Sequence, residues 1–290
     1  MRLHKLSLKN CMMTALFDIT TFLRNALAED IGTGDITSAA TIPADATATF
    51  VMRARQDLIV CGVKFIPELF ALISPRVQVE IMLKDGALAT KGATIARISG
   101  PARALLEGER TALNLVQHLS GIATVTHSYV DAIKGTHARI YDIRKTIPGM
   151  RQLQKYAVKC GGGENHRMGL YDAVLIKDNH IAVVGSVKAA IEAARTAAPK
   201  GMIVQVECDT LAQVAEAITA KPDIILLDNM DNETLRNAVA LIKPHGIQTE
   251  ASGNVSLETV RAIAETGVDR ISIGKLTHSV MAVDIGLDEA

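Results

Sequence analysis

Ile19, Phe22, Leu23, Ala26 and Leu27 recur at intervals of three and four residues, a spacing that predicts an amphipathic helix. The pattern breaks at residues 30–38 (DIGTGDITS), where two glycines and short polar side chains predict a loop. Short strand-like runs follow at 49–52, 58–61, 78–82 and 94–98, with one helical pattern around 65–73. Together they predict a mixed α/β unit. Pro101 then opens a helix carried by Leu105, Leu106, Leu113, Val116 and Leu119. Past Gly121, the spacing of Ile122, Val125, Thr126, Tyr129, Val130 and Ile133 predicts a second helix, and a domain boundary falls near here.

Beyond Gly135 the pattern changes to short apolar runs at 139–143, 173–176, 203–207, 224–227, 248–251 and 270–273. Alanine-rich helical patterns separate several of them, at 187–198, 211–218, 235–242 and 257–264. Strand–helix repeats imply a parallel sheet, and strands without polar alternation imply burial on both faces. Polar groups follow these runs: Arg144 and Lys145, Lys177 and Asp178, Glu207, Asp228 and Asn229, Glu250 with Ser252 and Gly253, Gly274 and Lys275. In a βα barrel the carboxyl ends of all strands open onto one face, so one mouth would collect them.

Composition narrows the class. The chain is 48% hydrophobic and 3% aromatic with no tryptophan, so its core is aliphatic. Lysine plus arginine balances aspartate plus glutamate, 31 against 31, which leaves no global field for nucleic acid or an anionic membrane. Cys11, Cys61, Cys160 and Cys208 lack paired spacing, which suits reduced thiols in a cytoplasmic protein. The apolar stretch 11–23 is interrupted by Asp18 and has no cleavage site, so no signal peptide is expected. Met12 and Met13 allow a later natural start, with residues 1–11 as a poorly ordered extension.

Arg144, Lys145, Arg151, Lys155, Lys159, His166, Arg167 and Lys177 crowd one segment with few acids. A solvated basic face is the plain explanation, but three of the cations sit at predicted strand ends, and arginine presents a planar fork matched to carboxylate and phosphate. Gly161, Gly162 and Gly163 let backbone amides converge on an anion or let a loop turn tightly under a helix. Cys160 and His166 lack further zinc ligands at metal-site spacing. Lys177 is either an electrostatic contact or a Schiff-base lysine of a barrel lyase. Glu207 and Asp228 either hold a hard cation such as magnesium or cap the helices that follow. Ser252, Gly253 and Gly274 follow late strands, where barrels bind phosphate.

Six motifs then carry a resemblance: EDIGTGDITS (29–38), GERTALNLVQHLSGIAT (108–124), DIRKTIPGMRQLQKYAVKCGGGENHRMGLYDAVLIKDNH (142–180), LLDNM (226–230), EASGNV (250–255) and GVDRISIGKLTHS (267–279). Along nearly its whole length the chain resembles the quinolinate phosphoribosyltransferase family. The resemblance implies an α/β fold: an N-terminal α/β sandwich over residues 1–120, with 280–290 packed on it, and an incomplete parallel β/α barrel over 121–290. It implies a homodimer making nicotinate mononucleotide, pyrophosphate and CO2 from quinolinate and phosphoribosyl pyrophosphate, in NAD biosynthesis. Quinolinate would meet Arg144, His166, Arg167 and Lys177, with Arg110 reaching in from the partner subunit. Lys145 would sit between the two substrates, and Glu207 and Asp228 would serve magnesium-bound pyrophosphate and the ribose hydroxyls. Ser252, Gly253 and Gly274 would hold the 5-phosphate, and Lys145, Lys177, Glu207 and Asp228 would form the catalytic set. Two departures stand out: Ile143 replaces a threonine usual before the Arg-Lys pair, and Gln205 stands where an acid is common. Both predict altered affinity before lost activity. A molybdate-associated relative of the family, a Schiff-base lyase and a non-catalytic anion binder remain as alternatives.

Overall fold

The computed structural model describes residues 17–290. The 1–11 extension, the alternative starts at Met12 and Met13, and Cys11 lie outside the described residues. The chain divides into two compact units, one running to Thr124 and including Met281–Ala290, the other Val125–Val280.

In the first unit, helix α1 (Ile19–Ile31) starts where the Asp18 carboxylate accepts the Thr20 and Thr21 amides, and it buries Leu23 and Leu27. Gly32, at φ 54°, ends it. The predicted loop at 30–38 is shorter than expected, because Asp35 accepts from the Ser38 amide and starts a second helix, α2 (Ile36–Thr41). Strands β1 (Thr47–Ala54), β3 (Gln78–Ile81), β5 (Thr94–Pro101) and the C-terminal β12 (Ile285–Glu289) pair antiparallel in the order β12-β1-β5-β3. A two-stranded ladder joins β2 (Leu58–Ile59) to β4 (Leu88–Ala89). Helix α3 (Ile66–Ile73) buries Ile66, Leu69 and Phe70. The C-terminal segment is tied in by Gln117, whose Nε2 donates to the Ile285 carbonyl at 2.7 Å.

Two helices were expected between residues 102 and 133; one continuous helix, α4 (Ala102–Ala132), is found. Glycine in a helix interior costs only about 1 kcal/mol relative to alanine. Leu119 and Ile122 flank Gly121 and are fully buried, so packing outweighs that cost.

The second unit alternates strands and helices: β6 (Arg139–Tyr141), α5 (Arg151–Cys160), β7 (Val174–Ile176), α6 (Asp178–Val184), α7 (Val187–Ala197), β8 (Val204–Cys208), α8 (Leu211–Ala220), β9 (Ile224–Asp228), α9 (Asn232–Ile242), β10 (Gln248–Ser252), α10 (Leu257–Ala264), β11 (Arg270–Ser272) and α11 (Lys275–His278). All ladders are parallel, in the order β6-β11-β10-β9-β8-β7. The first strand of the series therefore pairs with the last, which is the order of a ring cut between its first two strands. This is an incomplete βα barrel.

At the cut, the chain supplies a single bridge in place of a strand. Glu164 pairs with Tyr141, donating its amide to the Ile140 carbonyl at 2.8 Å and accepting the Asp142 amide at 3.1 Å. The triple glycine makes this approach possible. Gly162 takes φ 89°, and a Cβ on Gly163 would lie 2.8 Å from both Thr126 Cγ2 and Val158 Cγ1. These glycines serve a tight turn after α5.

Candidate active site

The carboxyl ends of the six parallel strands surround a cavity of about 750 Å³. Arg144 and Lys145 follow β6, Lys177 follows β7, Glu207 lies in β8, and Asp228 ends β9. Ser252 ends β10 with Gly253 after it, and Gly274 follows β11 by two residues. All of these line the cavity, together with His166 and Arg167 from the bridge segment. Arg110, exposed on α4, does not.

The basic segment is not a single surface. Arg151 donates Nε to Thr146 at 3.0 Å and Nη1 to the Met168 carbonyl at 3.1 Å, so it braces the loops. Lys159 pairs with Glu164 at 2.6 Å. Lys155 is wholly buried against Asp142 in an ion pair. Burial pushes the Asp142 carboxyl up and the Lys155 ammonium down, while the pair itself works against both shifts. Lys155 Nζ also donates to the His166 carbonyl at 2.9 Å, and Asp142 accepts the His166 amide at 2.8 Å. Three of the eight basic residues thus build the frame, and the remaining five line the cavity.

Two of those five keep an unpaired donor. The Nε atoms of Arg144 and Arg167 are buried without a hydrogen bond. A buried donor left unpaired costs about 1–3 kcal/mol, which an entering anion would offset. Burial, then repulsion from Arg144, holds the Arg167 guanidinium below its ordinary range. Two cations placed this close, with Arg167 anchored to the Ala173 carbonyl at 3.0 Å, define a receptor for negative charge.

Lys177 Nζ sits 2.8 Å from Glu207 Oε2. An ammonium engaged by a carboxylate is unlike the desolvated neutral amine of Schiff-base chemistry. Neither Glu207 nor Asp228 caps a helix, since Thr210 caps α8 and Asp231 caps α9. Glu207, Asp228 and Asp209 each offer a carboxylate oxygen within 4.8 Å of the others. The sequence reading missed Asp209, an exposed residue that looks like ordinary loop polarity. Asp228 accepts Asn229 Nδ2 at 2.6 Å, and Asn229 Oδ1 accepts Asn254 Nδ2 at 3.3 Å. Both asparagines hold positive φ, 52° and 48°, the left-handed conformation that asparagine tolerates better than most residues.

Backbone shape dominates the late-strand side. Gly253 has φ 99°, and a Cβ there would lie 2.1 Å from Asn229 Oδ1. At Gly274 a Cβ would come within 2.9 Å of His278 Nε2 and 3.0 Å of Ile143 Cδ1. His278 also lines the cavity and was not among the expected site residues; a histidine in α11, beyond the last parallel strand, carries no spacing signal. Ile143 faces the same cavity, while Gln205 is buried and donates to Glu250 Oε2 at 3.1 Å.

Fold and cavity define an incomplete-barrel α/β enzyme whose mouth is cationic on one wall and carboxylate-lined on the other. The chain belongs to the quinolinate phosphoribosyltransferase family: the model of that family's N-terminal domain matches residues 35–120, and that of its C-terminal domain residues 122–288. A carboxylating nicotinate-nucleotide pyrophosphorylase of Mycobacterium leprae is 46% identical over 288 residues, covering 97% of this chain and 99% of its own. A probable enzyme of the same name from Bacillus subtilis is 46% identical over 266 residues, covering 92% and 91%. The solved nicotinate-nucleotide pyrophosphorylase of Ehrlichia chaffeensis superposes with a TM-score of 0.89 at 42% identity, covering 94% of this chain and 99% of that one. The enzyme of that name from Francisella tularensis gives 0.88 at 40%, covering 94% and 96%.

Proposed function

We propose that this chain transfers phosphoribosyl from phosphoribosyl pyrophosphate to quinolinate with loss of CO2, giving nicotinate mononucleotide and pyrophosphate in NAD biosynthesis. The observation that carries the reading is that Arg144 and Arg167, each with a buried Nε that has no partner, line the same cavity as the carboxylates Glu207 and Asp228. A ring dicarboxylate would satisfy the first wall through Arg144, Arg167, His166 and Lys177. Ser252, Gly253 and Gly274, which line the cavity beyond β10 and β11, would receive the donor's 5-phosphate. Lys145 would lie between the two substrates.

Glu207, Asp209 and Asp228 fit a hard cation, because their oxygens converge, and magnesium would be held there largely through water and donor oxygens. Its contribution when bound is to neutralise the departing pyrophosphate. The chain's own residues do the rest. The first wall orients the pyridine nitrogen toward the anomeric carbon, and Glu207 and Asp228 favour positive charge developing on the ribose. The cations hold the neighbouring carboxylates while the C–C bond breaks and CO2 departs; the quaternary nitrogen stabilises the electron pair left on the adjacent ring carbon, which then takes a proton from water to give nicotinate mononucleotide.

Arg110 would enter from the partner subunit of a homodimer, which fits its exposure and its absence from the cavity lining. A cytoplasmic setting is part of the same proposal, in keeping with the buried Cys208, which forms no disulfide. No helix among the described residues is long and apolar enough to cross a membrane. Purified protein mixed with quinolinate, phosphoribosyl pyrophosphate and magnesium should form nicotinate mononucleotide and pyrophosphate in equal amounts. Pyrophosphate release without that product, or binding without turnover, would reject the assignment.

A further inference from the structure

The orphaned arginines account for charge on the first wall, but His166 is held by a separate device. Its Nδ1 accepts the backbone N–H of Arg167 at 2.7 Å. An N–H on Nδ1 would point against that donor, so the geometry seats the ring N–H on Nε2. Nε2 faces Glu250 Oε1 at 3.5 Å, close enough for attraction but without hydrogen-bond alignment.

Glu250 is wholly buried. Its Oε2 accepts Gln205 Nε2 at 3.1 Å and lies 3.7 Å from Arg270 Nε, while the Arg270 guanidinium lies 3.9 Å from the Tyr141 ring centroid. Oε1 has no hydrogen-bond partner. The backbone of His166 is clamped as well, its N–H to Asp142 and its carbonyl to Lys155. Asn165 Nδ2 ties the clamp together, donating to Asp142 Oδ2 at 2.6 Å and to the Lys155 carbonyl at 2.8 Å.

We propose that Glu250 is a positioning residue that aims His166 as its neutral Nε2–H tautomer, with that one proton shared onto an oxygen of the bound acid. The loose 3.5 Å geometry leaves the proton uncommitted until a ligand oxygen enters the cavity that His166 lines. His166 then contributes direction, and Arg144, Arg167 and Lys177 contribute charge. This deepens the quinolinate reading and rests on it for the substrate contact, although the tautomer itself does not depend on which acid binds.

Two measurements on the full chain test it. With ¹⁵N-labelled histidine and a His166→Gln variant for assignment, the His166 ring at neutral pH should show a protonated Nε2 and an unprotonated Nδ1. A doubly protonated ring, or a proton on Nδ1, overturns the proposal whether or not quinolinate is the substrate. Kinetically, Glu250→Gln should raise the quinolinate KM by about tenfold, the worth of one aligned hydrogen bond, with kcat changed by less than about threefold. In a His166→Gln background the same substitution should move KM by less than about twofold. Equal effects in both backgrounds would show that Glu250 does not act through His166. Should the Gln variant fail to fold, Glu250→Asp keeps the charge opposite Arg270 while withdrawing Oε1, and the same cycle is read with it. Absence of quinolinate turnover alone would remove the functional reading and leave the tautomer measurement standing.

Discussion

Arg144 and Arg167 each carry a buried Nε with no partner, whereas Glu207 is already engaged by Lys177 at 2.8 Å. The two walls should therefore fail differently. Charge-assisted hydrogen bonds are worth about 1.5–3 kcal/mol, so Arg144→Ala or Arg167→Ala should raise the quinolinate KM at least tenfold and leave the donor KM nearly unchanged. Glu207→Ala should instead depress the magnesium-dependent donor step, read as a fall in kcat and a rise in the donor KM. Wild-type quinolinate affinity in both arginine variants would remove the carboxylate pocket. Cys208 offers a contrasting test. It is buried, and burial, followed by the negative charges of Asp209, Glu216 and Glu207, pushes its thiol up to about 12. Only the thiolate is a nucleophile, and a raised value keeps the thiol protonated through mildly alkaline pH. Cys208 should stay unlabelled by an alkylating reagent at pH about 8 until the protein is denatured; rapid labelling of the native protein would contradict this environment.

At the scale of elements, α3 and α4 touch at one point where only glycine fits. A Cβ on Gly108 would lie 2.6 Å from Phe70 Cε1 and 2.8 Å from Ile73 Cδ1, and Phe70 is fully buried. Overpacking of this kind costs about 1–3 kcal/mol, more than the helix propensity that alanine gains. Gly108→Ala should lower the denaturation midpoint, and a variant as stable as the parent would mean that the contact is looser than drawn. The sequence made parallel strands legible because each is a short apolar run ended by a charged or turn-forming group; β6 to β11 all read this way. Helix α5 was not legible. Its buried face includes Gln154 and Lys155 beside Leu153, Ala157 and Val158, so hydrophobic periodicity is broken by the polar groups that build the His166 clamp. The continuity of α4 was hidden for the opposite reason, since Gly121 looks like a break while packing on both sides holds it helical. In the cavity, residues at strand ends could be found by counting along the chain. Asp209 and His278 could not, because their place depends on how loops fold back.

For the whole molecule, the balance of 31 basic and 31 acidic residues means that every strong field is local, and the cavity's cationic wall must be completed locally too. Arg110 is an exposed cation on α4 that does not line the cavity of its own chain, and the proposed dimer gives it a role in the partner's site. That arrangement has a consequence no monomer shares. Assayed at quinolinate well below the parent KM, Arg110→Ala and Arg144→Ala should each show about a tenth or less of the parent activity, yet a mixture unfolded and refolded together should recover activity. Random assortment of two subunit types makes about half the dimers mixed. In each mixed dimer one site receives both substitutions and the other receives neither. Recovered activity should therefore approach roughly a quarter of the parent value, since half the dimers each carry one of two sites intact. Dilution of the parent enzyme below its dimer dissociation constant should lower activity per chain in parallel. If mixed dimers, isolated through two different affinity tags, show no more activity than either variant alone, Arg110 acts within its own chain or only in its fold, and the shared-site proposal is wrong.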